Sequence, residues 1–226
     1  MLYNFQDSPA DLFHRMLLNV HLNEDLGIRI YSFPMRYQPT DLPDRSHVGP
    51  KWNRYFLRSV QIVLQATHGV VSGEPEFYKA AFGSNQSEFE QILSRPHHMI
   101  FHRHWYERHD GRAELDEFER QFANLSISKK AELLEFLSTR SAAEYARDLA
   151  TVGRSLRGIA RFYLPLTKAR DAEIVQLQKA RNDANRPVAI GLTAEEIVED
   201  AGLGDDGYPA SEDGPIRKSS EQQMAS

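Results

Sequence analysis

The sequence predicts a mainly α-helical protein that begins with a short βαβ unit and continues into a helical C-terminal region. Three observations predict this. An apolar start, Leu2 to Phe5, and an alternating β-branched and aromatic segment, Ile28 to Phe33, flank one strongly signalled helix. Apolar residues after Lys51 recur every three or four positions, as one buried face of a helix requires. Capping residues stand ahead of several of these runs.

Taken in order, Leu2 to Phe5 reads as a strand, and Ser8-Pro9-Ala10-Asp11 then opens a helix with Ser8 as its cap and Pro9 in the first turn. Leu12, Phe13, Met16, Leu17 and Val20 share a face, and Gly27 stops the helix after roughly 17 residues. Ile28 to Phe33 reads as the second strand, ended by Pro34. Strand, helix and strand in this order imply a parallel pair that needs more strands than the chain supplies.

From Lys51, the residues Trp52, Phe56, Val60, Val63 and Thr67 lie on one helical stripe ending at Gly69. Pro75 to Phe82 and Gln86 to Leu93 predict two short helices, and Leu115, Phe118 and Phe122 mark a further one. Ser126 begins another. Ser141-Ala142-Ala143-Glu144 is a capping box opening a long helix, with Tyr145, Leu149, Val152, Leu156 and Ile159 on one face as far as about Tyr163. A charged helix follows to about Arg181. From Gly204 the chain is rich in Gly, Asp, Ser, Pro and Gln, which predicts a flexible tail. The expected organisation is residues 1–50 with the strands, 51–186 helical, and 187–226 as the flexible tail.

The 226 residues suit one globular domain with appendages. No apolar run is long enough to cross a bilayer, and no signal-peptide pattern follows Met1, so the expectation is a cytoplasmic protein with no membrane partner. The net charge of −5 argues against broad nucleic-acid binding, because phosphate neutralisation needs a basic surface. The absence of cysteine removes disulfides, thiolate nucleophiles, zinc-thiolate sites and cysteine-bound iron-sulfur clusters together.

Two local constellations stand out. Five of the nine histidines fall between His97 and His109, and a helix would bring His98 and His102 one turn apart, a spacing that suits two imidazoles on one metal ion. Arg103 and Arg108 oppose a cation there, and a solvated polar segment is the competing reading. Arg29, Arg36, Arg45, Lys51, Arg54 and Arg58 form a locally basic stretch with only Asp41 and Asp44 nearby, which suits either an anion or an ordinary solvated helix face. Neither a nucleophile elbow nor a phosphate-binding loop is present.

Leu2-Tyr3-Asn4-Phe5-x-Asp7-x-Pro9, Ile30-Tyr31-Ser32-Phe33-Pro34-Met35-Arg36-Tyr37-x-Pro39 and Asp44-Arg45-Ser46-x-Val48-Gly49-x-x-Trp52-Asn53 resemble the last barrel strands of a group of radical S-adenosylmethionine (SAM) proteins. Ala66 to Val71 and Phe77 to Gly83 resemble the helical segment after that barrel. The resemblance covers roughly residues 1 to 100. It implies that the N-terminal βαβ unit is the remnant of a partial (β/α) barrel, in a family whose early loop binds a [4Fe-4S] cluster through three cysteines, with SAM on the open iron. That loop is absent, so the expectation is a split or truncated protein that binds no cluster alone and meets a cluster-bearing N-terminal partner. Residues at the C-terminal ends of parallel strands face the ligand crevice, which places Asn4, Asp7, Met35, Arg36 and Tyr37 to contact SAM or substrate. The competing reading of these residues is an Arg36–Asp7 structural ion pair with Met35 in the core. The competing reading of the chain is a non-enzymatic helical interaction module, and a third is a small metal-dependent enzyme built on the histidines.

Overall fold

The computed structural model describes residues 1–42, 46–71 and 73–185. The chain divides into two compact units, Met1–Gln178 and Lys179–Ser226. The tail expected over 187–226, and Asp44 and Arg45 of the basic stretch, lie outside the described residues. Among the described residues the first unit is mainly helical, with one two-stranded parallel sheet.

Strand β1 (Leu2–Tyr3) leads into α1 (Pro9–Leu26) and then β2 (Met35–Arg36), with Leu2 opposite Met35 and Tyr3 opposite Arg36. The capping signals of α1 are realised. The Ser8 hydroxyl accepts from the Asp11 amide, the Asp11 carboxylate accepts from the Ser8 amide, and Gly27 ends the helix in the left-handed conformation at φ 63°. Leu12, Phe13, Met16 and Val20 are buried, as their spacing predicts.

The second strand is displaced from its predicted place. Pairing with β1 falls after Pro34, where the Met35 amide donates to the Met1 carbonyl at 2.8 Å and the Tyr37 amide to the Tyr3 carbonyl at 2.7 Å. The reason lies at Ile30, whose amide donates to Asn23 Oδ1 at 2.6 Å and whose carbonyl accepts from Asn19 and Asn23 at 3.0 and 2.8 Å. Backbone groups already bonded to side chains are not available to a sheet ladder. Ser32 instead makes a single antiparallel bridge to Val71.

Helix α2 (Arg54–Ala66) starts after Lys51 and Trp52, because the Asn53 side chain caps it by accepting from the Phe56 amide at 2.7 Å. Helices α3 (Pro75–Phe82) and α4 (Gln86–Ser94) follow the predicted bounds closely. Next come α5 (His97–Phe101), α6 (Arg103–Arg108), α7 (Arg112–Ala123), α8 (Ile127–Ser138), α9 (Ala142–Asp148), α10 (Arg157–Ala160) and α11 (Lys168–Asn185).

The long helix predicted from Ser141 to about Tyr163 is broken. Its capping box forms, but α9 ends at Asp148, and tight 3-10 turns carry the chain through Val152 and Gly153, both with ψ 138°. Glycine lowers helix propensity at the break. Tyr145, Val152, Leu156 and Ile159 are nevertheless all buried in one core, so their spacing reported burial correctly and continuity incorrectly.

Two apolar cores fill the unit. The first gathers Tyr3, the inner face of α1, Trp52, Leu57, Val60 and the buried side chains of α3 and α4, so the strands and the first helices share one interior. The second gathers Tyr55, Trp105, Leu115, Phe118, Leu133, Ile159 and Ile174. Helix α2 contributes to both, and the buried Ser59 hydroxyl donates to the Leu93 carbonyl at 2.7 Å to tie α2 to α4.

Candidate functional site

Asn4 follows β1 in the left-handed conformation, φ 71°, which asparagine tolerates better than most residues. Its side chain is fully buried. Nδ2 donates to the carbonyls of Tyr37 and His47 at 3.2 and 3.1 Å, and Oδ1 accepts from the Gly49 amide at 2.8 Å. Both N–H donors are therefore used to fasten the 37–49 segment to β1. A Cβ on Gly49 would overlap the Phe5 carbonyl oxygen, so only glycine permits this approach.

Arg36 reaches the same place, its Nη2 donating to the His47 carbonyl at 2.8 Å. The Tyr37 ring stands edge-on to His47 at 5.4 Å and to Phe5 at 4.8 Å. Asn4, Arg36 and Tyr37 are thus brought together around the 37–47 segment. Asp7 lies apart from them, paired with Arg15 and accepting from the Phe5 amide at 2.9 Å and from Trp52 Nε1 at 3.3 Å. The ion pair expected between Arg36 and Asp7 is accordingly replaced by Arg15 and Asp7.

Met35 alternates with Arg36 and projects from the opposite face. It is not a core residue. Leu2, Phe33 and Met35 are 53, 56 and 57 % exposed, an apolar outer surface, whereas Tyr3 on the other face packs against Trp52 at 5.4 Å. Three of the five expected ligand residues are gathered, one is turned to the outside, and one is taken by an ion pair.

His97 and His98 fall on α5, His104 on α6, and His102 and His109 at the helix ends. His102 is buried, with Nε2 2.8 Å from Asp171 Oδ1 of α11. His97 stacks on Tyr55 at 4.2 Å with rings 11° apart, and His98 lies beside Tyr106. Burial holds the imidazoles of His97 and His98 down at about 4, so both are neutral at pH 7. For Glu107, burial opposes the charge, but Arg103 and Arg95 outweigh it and hold the carboxyl below its usual range, with contacts of 2.6 and 2.7 Å. Among the described residues, no three His, Asp or Glu side chains are grouped to hold a metal ion. Asp171 and Tyr55 complete the surroundings of the histidines. Their roles had no local signal, since Asp171 sits 69 residues from His102 on a helix that reads as solvated.

Among the described residues no helix is long and apolar enough to cross a membrane. Comparison of the chain with protein-family models, with curated proteins and with solved structures finds no match.

Proposed function

We propose that this chain is a C-terminal piece of a radical SAM-like protein, its βαβ unit the remnant of a partial barrel, and that it completes a SAM and substrate site beside a cluster-bearing partner without being catalytic alone. The observation that carries this reading is the sheet. Parallel strands occur almost only where both faces are covered, and a pair is too small to stand by itself. Here the pair β1–β2 presents Leu2, Phe33 and Met35 on an open apolar face, among strands with no further neighbour among the described residues. Added strands from a partner would satisfy the edges, and a packed layer of that partner would cover the face.

The chain has no cysteine and holds no iron-sulfur cluster itself. Asn4 and Asp7 make internal bonds and Met35 lies on the other face of the sheet from Arg36. In this reading the partner supplies most of the contacts. Calorimetry with SAM tests it, first on the chain alone and then with a cluster-reconstituted polypeptide encoded immediately upstream. Binding only in the mixture is expected. No binding in either sample removes the reading and favours the helical interaction module, which the two well-filled helical cores also support.

A further inference from the structure

Away from the sheet, α2, α5, the 163–168 segment and the start of α11 line an open cavity of 540 Å³. A second, of 730 Å³, lies between α2 and the α8–α9 junction, and Tyr55, Arg58 and His97 belong to the walls of both. The charge here runs against the chain's net −5. Arg54, Arg58 and Lys168 have no carboxylate partner among the described residues, the one bond of Arg58 being to Gln61 at 3.4 Å. Arg140 is paired with Asp148, and the single wall carboxylate, Asp171, is engaged by His102.

Two buried ring nitrogens, Nε2 of His97 and Nε2 of His98, have no hydrogen-bond partner. Buried polar atoms are nearly always bonded, so such a pair beside unpaired cations is an unmet bonding capacity that a polar group in the cavity satisfies when the covering side chains shift. Further along the first cavity, Phe101, Pro165 and Leu166 make an apolar wall, with Phe101 60 % exposed.

We propose that these adjoining cavities form a binding site for a small amphipathic anion, its phosphate or carboxylate head held by Arg54 and Arg58 beside His97 and its apolar body lying along Phe101, Pro165 and Leu166. The site is separate from the sheet and does not depend on the proposed function above. An anion beside His97 makes protonation of its ring favourable, and the ring then donates to the ligand. The groups facing His97 are Arg54, Tyr55 and Arg58 at α2, Tyr163, His98, His102 with Asp171, Lys168, and Arg140 across the second cavity. Burial, with a smaller contribution from Arg58, keeps the ring neutral in the unliganded protein at pH 7.

The test is titration of the full chain with phenyl phosphate, phenylacetate, benzenesulfonate and the neutral benzyl alcohol, followed by calorimetry and by histidine ring signals in NMR. Saturable binding of phenyl phosphate or phenylacetate and none of benzyl alcohol is expected, and the tighter of the two anions identifies the head group. Arg58→Gln weakens it about tenfold, the loss of one charged contact, while Arg120→Gln, whose partner Glu117 is remote, leaves it unchanged. Benzenesulfonate keeps its charge between pH 7 and 5, and its binding tightens over that range as His97 takes up a proton. Circular dichroism confirms that Arg58→Gln is folded, as the exposed position of that residue predicts. Equal binding of benzyl alcohol, no saturable binding of either phenyl phosphate or phenylacetate at millimolar concentration, or an unaltered Arg58→Gln protein overturns the proposal.

Discussion

Asn4 concentrates three long-range hydrogen bonds and an uncommon backbone conformation in one side chain. Asn4→Ala leaves buried backbone groups unpaired, at about 1–3 kcal/mol for the set that stays dry, and keeps a strained left-handed alanine. Asn4→Gly loses the same bonds but relieves the backbone, so it is expected to be more stable than the alanine variant by about 1 kcal/mol in urea unfolding. Equal midpoints for the two variants would show that φ at this residue costs nothing. His97 and His98 make a pH prediction at the same scale. Their folded values of about 4 lie below the unfolded value of 6.5, so the unfolded chain binds protons first as pH falls. Stability is full above pH 6.5, declines towards pH 4 and levels off below it. The decline is on the order of a few kcal/mol, and His97→Gln with His98→Gln should flatten that part of the profile.

Among the elements, α1 depends most visibly on its own ends. Ser8→Ala removes the capping box and is expected to cost about 1 kcal/mol, seen as a lower thermal midpoint with unchanged helical circular dichroism at 20 °C or so. Helices with such local punctuation were legible in advance: Ser8 and Gly27 bound α1, Pro75 opens α3, and the Ser141 box opens α9. What was not legible depends on partners far along the chain. Asn19 and Asn23 take the backbone of Ile30, and this moves the paired strand past Pro34 although Ile28 to Phe33 has the stronger β pattern. Apolar spacing through residue 159 reported which side chains are buried, but a chain bent by 3-10 turns presents nearly the same spacing as a continuous helix. For the candidate site, Asn4, Arg36 and Tyr37 stand together at the strand ends, yet strand-end position carried no information that Arg15 would claim Asp7.

At the scale of the whole unit, α2 joins two cores, as α5 does through Ile100 and Met99, and each core holds one of the chain's two tryptophans, Trp52 in the first and Trp105 in the second. Because Leu57 and Tyr55 on α2 serve opposite cores, neither core is expected to melt while the other stays intact. Fluorescence of Trp52→Phe and Trp105→Phe proteins, each reporting the remaining indole, should give coincident urea transitions. Separated transitions would show that the cores are independent folding units. The exposed Leu2, Phe33 and Met35 of the sheet belong to this scale as well.

The Asn4 clasp has a consequence for chain connectivity. Its amide grips the carbonyls of Tyr37 and His47, on either side of residues 38–46 in sequence, while Leu12, Phe13 and Met16 of α1 are sunk in the interior with Tyr78 and Phe89. A protease nick between these two carbonyls would therefore leave both new ends fastened to the same side chain, and the N-terminal fragment should travel with the remainder through gel filtration until denaturant parts them.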